Sequence, residues 1–163
     1  MSRFSFLQGQ RGEYLVALQF VLLFAFIATP IWHPFPLQEW LDVLAIPRKI
    51  IWFVAGLISI AFVGSGMISL RDNLTPLPYP VDHNQFVQHG IYRWVRHPLY
   101  ASQLIIAGGW VLYSFSVSHL LLFVIGFMFF DYKARKEEVW LTERHPQYTE
   151  YAQRVRKFIP FVY

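Results

Sequence analysis

The chain contains no cysteine and little charge: Asp, Glu, Lys and Arg together make up only 15% of its 163 residues. Without thiols there is no disulfide scaffold, thiolate zinc site, iron–sulfur cluster or cysteine nucleophile. Soluble globular domains carry roughly 25% charged residues, so the deficit argues against an ordinary soluble domain. An apolar content of 55% and a mean hydropathy of +0.36 exclude a disordered chain. The length suits a single domain, residues 1–163.

The apolar residues are gathered into runs. Tyr14 to Trp32, Ile50 to Leu70 and Leu99 to Phe130 contain no Asp, Glu, Lys or Arg. A helix needs about 20 apolar residues to cross a hydrocarbon core, so the first two runs read as one span each. As one helix the third would be about 48 Å long, too long for a single crossing. Its polar middle, Ser114 to His119, marks a hairpin. The expected architecture is all-α and membrane-embedded, with about four transmembrane helices at 14–32, 50–70, 99–115 and 118–134. The last two form a tight hairpin.

Charge agrees with the break. With the N-terminus in the cytoplasm, four spans put twelve of the fourteen Lys and Arg residues inside and only Arg48 and Lys49 outside. That split follows the positive-inside rule and places both termini in the cytoplasm. Basic residues flanking spans also account for the net charge of +4 without a nucleic-acid partner. Between the first two spans, Leu37, Trp40, Leu41 and Leu44 share a helical face, which suggests a short helix lying in the outer interface.

No expected span carries a charge at its middle, which argues against a proton pump or ion channel. The polar groups lie on the loop 71–98 and on 131–141, and the hairpin brings both to the cytoplasmic boundary. In Gly90-Ile91-Tyr92-Arg93-Trp94-Val95-Arg96-His97-Pro98-Leu99-Tyr100, Pro98 suits a first helical turn. His97 then sits at a helix start, where free N–H groups favour an anion. The same residues also read as an aromatic belt with basic anchors. Likewise Asp131 to Glu138 reads either as a site or as a solvated charge run, with Lys133 and Glu137 on one face. No His or carboxylate spacing points to a metal. Arg144-His145-Pro146-Gln147-Tyr148 echoes Arg96-His97-Pro98-Leu99-Tyr100, and with no similarity around it reads as coincidence.

These residues carry a family resemblance. Gly90-x-Tyr92-x-x-x-Arg96-His97-Pro98-x-Tyr100, then Glu137-Glu138-x-x-Leu141 and a Tyr148…Tyr151…Ile159-Pro160 tail, resemble the isoprenylcysteine carboxyl methyltransferases and phospholipid methyltransferases of membranes. The resemblance covers roughly residues 70 to 163. It implies S-adenosylmethionine as methyl donor, bound in a cytoplasmic pocket between a cofactor loop (71–98) and a C-terminal cap (135–163). A lipid or prenylated acceptor would enter from the bilayer, carboxylate O-methylation being favoured. It further implies that Gln85, Phe86, Val87, Gly90, Tyr92, His97, Pro98, Leu99 and Tyr100 line the cofactor, and that Glu137 accepts its ammonium group. Arg96 and Lys133 would hold an anionic acceptor. Glu138 would serve the acceptor, taking a proton if that were an amine. The family commonly has Arg where this chain has Lys133, which keeps the charge without the bidentate fork. The tail also resembles NADPH-dependent sterol reductases, and a small non-enzymatic membrane subunit is a third reading.

Overall fold

The structure is a computed structural model describing residues 12–70 and 86–163. Arg71 to Gln85 lies outside the described residues, and with it most of the expected cofactor loop. The described chain is helical, with no strand among these residues. Its helices are α1 (Glu13–Ala28), α2 (Gln38–Val43), α3 (Ala45–Leu70), α4 (Pro98–Ser114), α5 (Val117–Arg144) and α6 (Tyr148–Arg154).

The helix ends differ from the expected span ends for local reasons. α1 stops at Ala28, short of Trp32, because Pro30 cannot continue it. Thr29 turns extended and places its hydroxyl on the Ala25 carbonyl at 2.7 Å. α3 starts before Ile50, taking Pro47 into its first turn, where no amide hydrogen is needed. The apolar run 99–130 is broken as expected. Phe115 adopts a left-handed conformation (φ 51°) and Ser116 caps α5. α5 then runs well past residue 134 to Arg144, so the expected cap begins as a rigid extension of the last long helix. Pro146 separates it from α6.

Close packing of α3 on α4 sets the frame. A Cβ on Gly109 would stand 2.5 Å from that of Ala55, so the glycine lets the helices meet. α3 and α5 are long and apolar enough to cross a membrane. Only 6% of the apolar window of α3 is buried within the protein, leaving Phe53, Ile60 and Ile68 bare. An apolar surface of this extent requires a covering other than water, and a bilayer supplies one.

One end of the bundle is stitched by hydrogen bonds. The Val117 amide donates to the Trp32 carbonyl (3.0 Å), the Trp32 amide to Ser116 Oγ (3.2 Å) and Ser118 Oγ to the Pro30 carbonyl (2.8 Å). Arg48 joins α2 to the same end by donating to the carbonyls of Leu41 and Tyr113. The opposite end gathers the start of α4, the charged part of α5 and the C-terminal segment.

Because the chain lacks cysteine, single cysteines report sidedness cleanly. Ser116 is buried, whereas Glu39 and Phe115 are exposed. Glu39→Cys and Phe115→Cys should label with an impermeant maleimide from one and the same side of the membrane. Labelling from opposite sides would contradict the hairpin.

Candidate active site

The segment leading into α4 is shaped by one glycine. Gly90 opens a 3-10 turn (Gly90–Arg93) at φ 62°, and a Cβ there would stand 2.4 Å from Ser69 Oγ. The turn folds the chain back against the end of α3 and buries Tyr92. The Tyr151 hydroxyl donates to the Tyr92 carbonyl at 2.6 Å. Residues 95–97 then pair with the chain beyond α6. The Arg96 amide donates to the Arg156 carbonyl (2.8 Å) and the His97 amide to that of Lys157 (3.1 Å). The C-terminal segment therefore takes donors that the sequence had suggested for an anion.

His97 precedes Pro98, the first residue of α4, and its ring lies between two carboxylates. Nδ1 is 3.2 Å from Glu137 Oε2 and Nε2 is 3.0 Å from Glu138 Oε1. An ionised carboxylate only accepts, so two such contacts require both ring nitrogens to donate: the imidazolium form. Burial alone would lower the His97 pKa. Hydrogen bonds to Glu137 and Glu138, with their charges, outweigh it and raise the pKa above the ordinary value. Arg96 Nε donates to Glu138 Oε1 at 2.9 Å, and the same guanidinium donates to the carbonyls of Ala152 and Val155. Arg96 thus fastens α5 to the C-terminal segment. The Tyr100 hydroxyl donates to Glu137 Oε1 at 2.7 Å, and its ring stacks on that of His97.

Lys133 lies one turn from Glu137 toward the bundle interior and is 1% exposed. Its Nζ sits 5.0 Å from the centre of the Tyr100 ring and donates to Gln19 Oε1 at 2.6 Å. Gln19 in turn donates to Gln103. An ammonium has three donors, and Gln19 is the acceptor the described residues give it. Beyond Gln19 and Gln103 a mostly apolar cavity of about 470 Å³ extends between α1, α3, α4 and α5.

The structure thus brings Arg96, His97, Tyr100, Lys133, Glu137 and Glu138 together. Pro98 and Leu99 contribute packing, both lying close to Gly66 of α3. Phe86 joins an aromatic group with His145, Tyr148 and Tyr151, its ring stacked 5.6 Å from His145. Val87 follows it, half-buried. Gln85 lies outside the described residues. His145 and Tyr148 were missed as site candidates. His145 Nε2 and the Tyr148 hydroxyl are buried with no hydrogen-bond partner among the described residues. Their signal was the second Arg-His-Pro-x-Tyr, whose His and Tyr both pack against Phe86.

A helical bundle with an uncovered apolar surface, carrying a cluster of carboxylates, cations and aromatic rings at one end, defines a membrane-type protein. The chain belongs to the phospholipid methyltransferase family, whose model matches residues 48–148. It is similar to protein-S-isoprenylcysteine O-methyltransferase A of Arabidopsis thaliana, 37% identical over 83 residues, covering 50% of this chain and 42% of that protein. Protein-S-isoprenylcysteine O-methyltransferase B of the same plant is 36% identical over the same shares. A probable protein-S-isoprenylcysteine O-methyltransferase of Oryza sativa subsp. indica is 34% identical, with 44% of its length covered. The match spans less than half the length of each of these relatives.

The protonation of His97 has a thermodynamic consequence. A group whose pKa is raised on folding stabilises the fold fully below its unfolded value, about 6.5. That contribution is lost as pH rises through the folded pKa. The midpoint of thermal unfolding in detergent should therefore fall as pH is raised from about 6.5, and His97→Gln should remove this slope. A wild-type profile no steeper than that of the variant would show that His97 is not held as the imidazolium.

Proposed function

We propose that the protein is an S-adenosylmethionine-dependent methyltransferase acting at the membrane–cytosol boundary, and that its acceptor is a prenylcysteine carboxylate. One observation carries the reading. A single face of α5 carries the carboxylate of Glu137 and, one turn inward, the buried cation of Lys133, whose hydrogen-bond partner Gln19 lines an apolar cavity. This orders a place for a cationic cofactor, an anionic acceptor group and an apolar chain along one line. The names of the relatives agree with that class of acceptor. Family membership favours methyl transfer over the reductase resemblance.

The residues present fit the cofactor. The Glu137 side chain is 16% exposed, and each of its oxygens, accepting once from His97 or Tyr100, keeps a lone pair for an ammonium. The unpaired His145 Nε2 and Tyr148 hydroxyl, with the Phe86 ring, suit a purine and its hydrogen-bonding edge. When bound, S-adenosylmethionine supplies an electrophilic methyl group.

The protein's own residues supply alignment. Glu137 holds the ammonium, with Tyr92 and His97 beside it, Leu99 packing α4 on α3 behind them, and Phe86, Val87 and Gly90 shaping the approach. Lys133 turns its remaining donors to the acceptor's carboxylate. Arg96 and Glu138 are positioning residues, since each is already committed to the other and to its neighbours. An ionised carboxylate needs no general base, so positioning and exclusion of water are sufficient. Four spans, with the twelve-to-two bias of basic residues, set this end in the cytoplasm along with both termini.

Two substitutions separate the roles. Glu137→Gln should weaken S-adenosylmethionine binding by about tenfold to a hundredfold, the range for a charge-assisted hydrogen bond, as measured by isothermal titration. Lys133→Met keeps length and removes charge. It should raise the KM of a prenylcysteine acceptor by a similar factor and leave cofactor affinity nearly unchanged. If Lys133→Met instead improves methylation of a phospholipid amine, the carboxylate assignment fails.

A further inference from the structure

Beyond α6 the chain turns back along α5. Lys157 Nζ and the Tyr163 hydroxyl both donate to Asp131 Oδ1, at 2.6 and 2.7 Å. The Tyr163 ring stands 5.8 Å from that of Phe127, one turn before Asp131 in α5. The Phe158 ring also meets Phe127 and is buried in the core. Residues 158–163 therefore lie level with the last turn of the apolar run 99–130, where the uncharged part of α5 gives way to its charged part. Val124 and Met128, within one turn of Phe127, are bare at this level. On the turn itself, the Phe161 ring packs edge-on against Trp94.

The turn is built unlike a water-facing loop. Phe161 is 77% and Val162 70% exposed, with Ile159 and Trp94 also exposed beside them. Phe161 is held at φ 65°, a left-handed conformation that is costly for a bulky side chain. Four amides are satisfied inside the turn. Those of Phe158 and Ile159 donate to the Tyr163 carbonyl at 2.7 Å, and those of Val162 and Tyr163 to the Ile159 carbonyl at 3.1 Å. Pro160 has no amide hydrogen to satisfy. Backbone that leaves water needs such internal partners. Exposed Arg93 adjoins Trp94, and Arg156, also exposed, is bridged to Val95. Apolar tips and aromatic rings beside guanidinium groups suit a phospholipid leaflet, the tips its acyl boundary and the cations its phosphates.

We propose that the turn 158–163 is a membrane anchor: it seats Ile159, Phe161 and Val162 at the headgroup–acyl boundary, and this seating holds the pairing of Arg96 and His97 with Arg156 and Lys157. The link is short. The carbonyls that accept from the Arg96 and His97 amides belong to the two residues just before the turn. Lys157 is itself fastened to Asp131. Lipid thereby acts as a structural ligand of the charged cluster, because lifting the turn pulls on the segment that positions Arg96 and His97. The anchor requires nothing of the acceptor or of methyl transfer.

The test uses the full chain carrying one spin-labelled cysteine, Val162→Cys or Glu150→Cys, in phosphatidylcholine–phosphatidylglycerol vesicles. Glu150 is exposed on α6 and serves as the aqueous reference. The ratio of collisions with oxygen to collisions with a polar nickel chelate should be about tenfold higher at Val162, because an apolar phase excludes polar solutes. Equal ratios overturn the anchor. So does low access to both reagents with spin–spin broadening that vanishes on dilution with unlabelled protein, which would make a second copy the cover. The second measurement is amide hydrogen exchange of the peptide holding Arg96 and His97 in the same vesicles. Val162→Asp should speed it by about tenfold, less than the full cost of a carboxylate at the bilayer centre implies. Val162→Leu should leave it unchanged. On a water-facing turn both substitutions would be near neutral, so unchanged exchange in Val162→Asp overturns the coupling. Neither readout involves turnover, so a failure of the methyltransferase reading would leave both results standing.

Discussion

The contact on which the site depends is the imidazolium of His97 held between Glu137 and Glu138. It joins the first residue before α4 to the far part of α5, two elements separated by the whole hairpin. Two carboxylates side by side would repel, and burying either unpaired would be costly. His97 and Arg96 offset both charges, so the cluster can be half-buried and still be oriented. Tyr100 then fixes the remaining oxygen of Glu137, and the stacked rings of His97 and Tyr100 pass that order on to Lys133. The charged end and the apolar cavity are one construction sharing the same stripe of α5.

Much of this organisation was legible because it rests on period and punctuation. The apolar runs located the long helices, Pro98 marked the start of α4, and the polar middle of the third run located the Phe115 turn. What could not be read was set by tertiary contact. Nothing local says that Lys133 is almost fully buried, since its neighbours in sequence are charged. Its burial comes from Gln19, distant in the chain, and from the ring of Tyr100. The helix start at His97 looked open to an anion because the pairing of Arg96 and His97 with Arg156 and Lys157 has no signature in hydropathy.

The second Arg-His-Pro-x-Tyr is instructive for the same reason. Read as letters, it had no support from flanking similarity. In the fold, both copies use proline at a boundary between helical elements. Both place a histidine and a tyrosine where an aromatic ring can reach them: Tyr100 pairs with His97 and Phe86 with His145. The physical demand repeats even though the surrounding sequence does not.

The pairing of Arg96 and His97 with the segment beyond α6 has a consequence for biogenesis. That segment follows α1 to α6, so it leaves a ribosome after them. Until then Arg96 lacks the carbonyls of Ala152 and Val155, and the carboxylate cluster is without its brace. The order of the chain thus lets the long helices pack before the carboxylate cluster gains its brace.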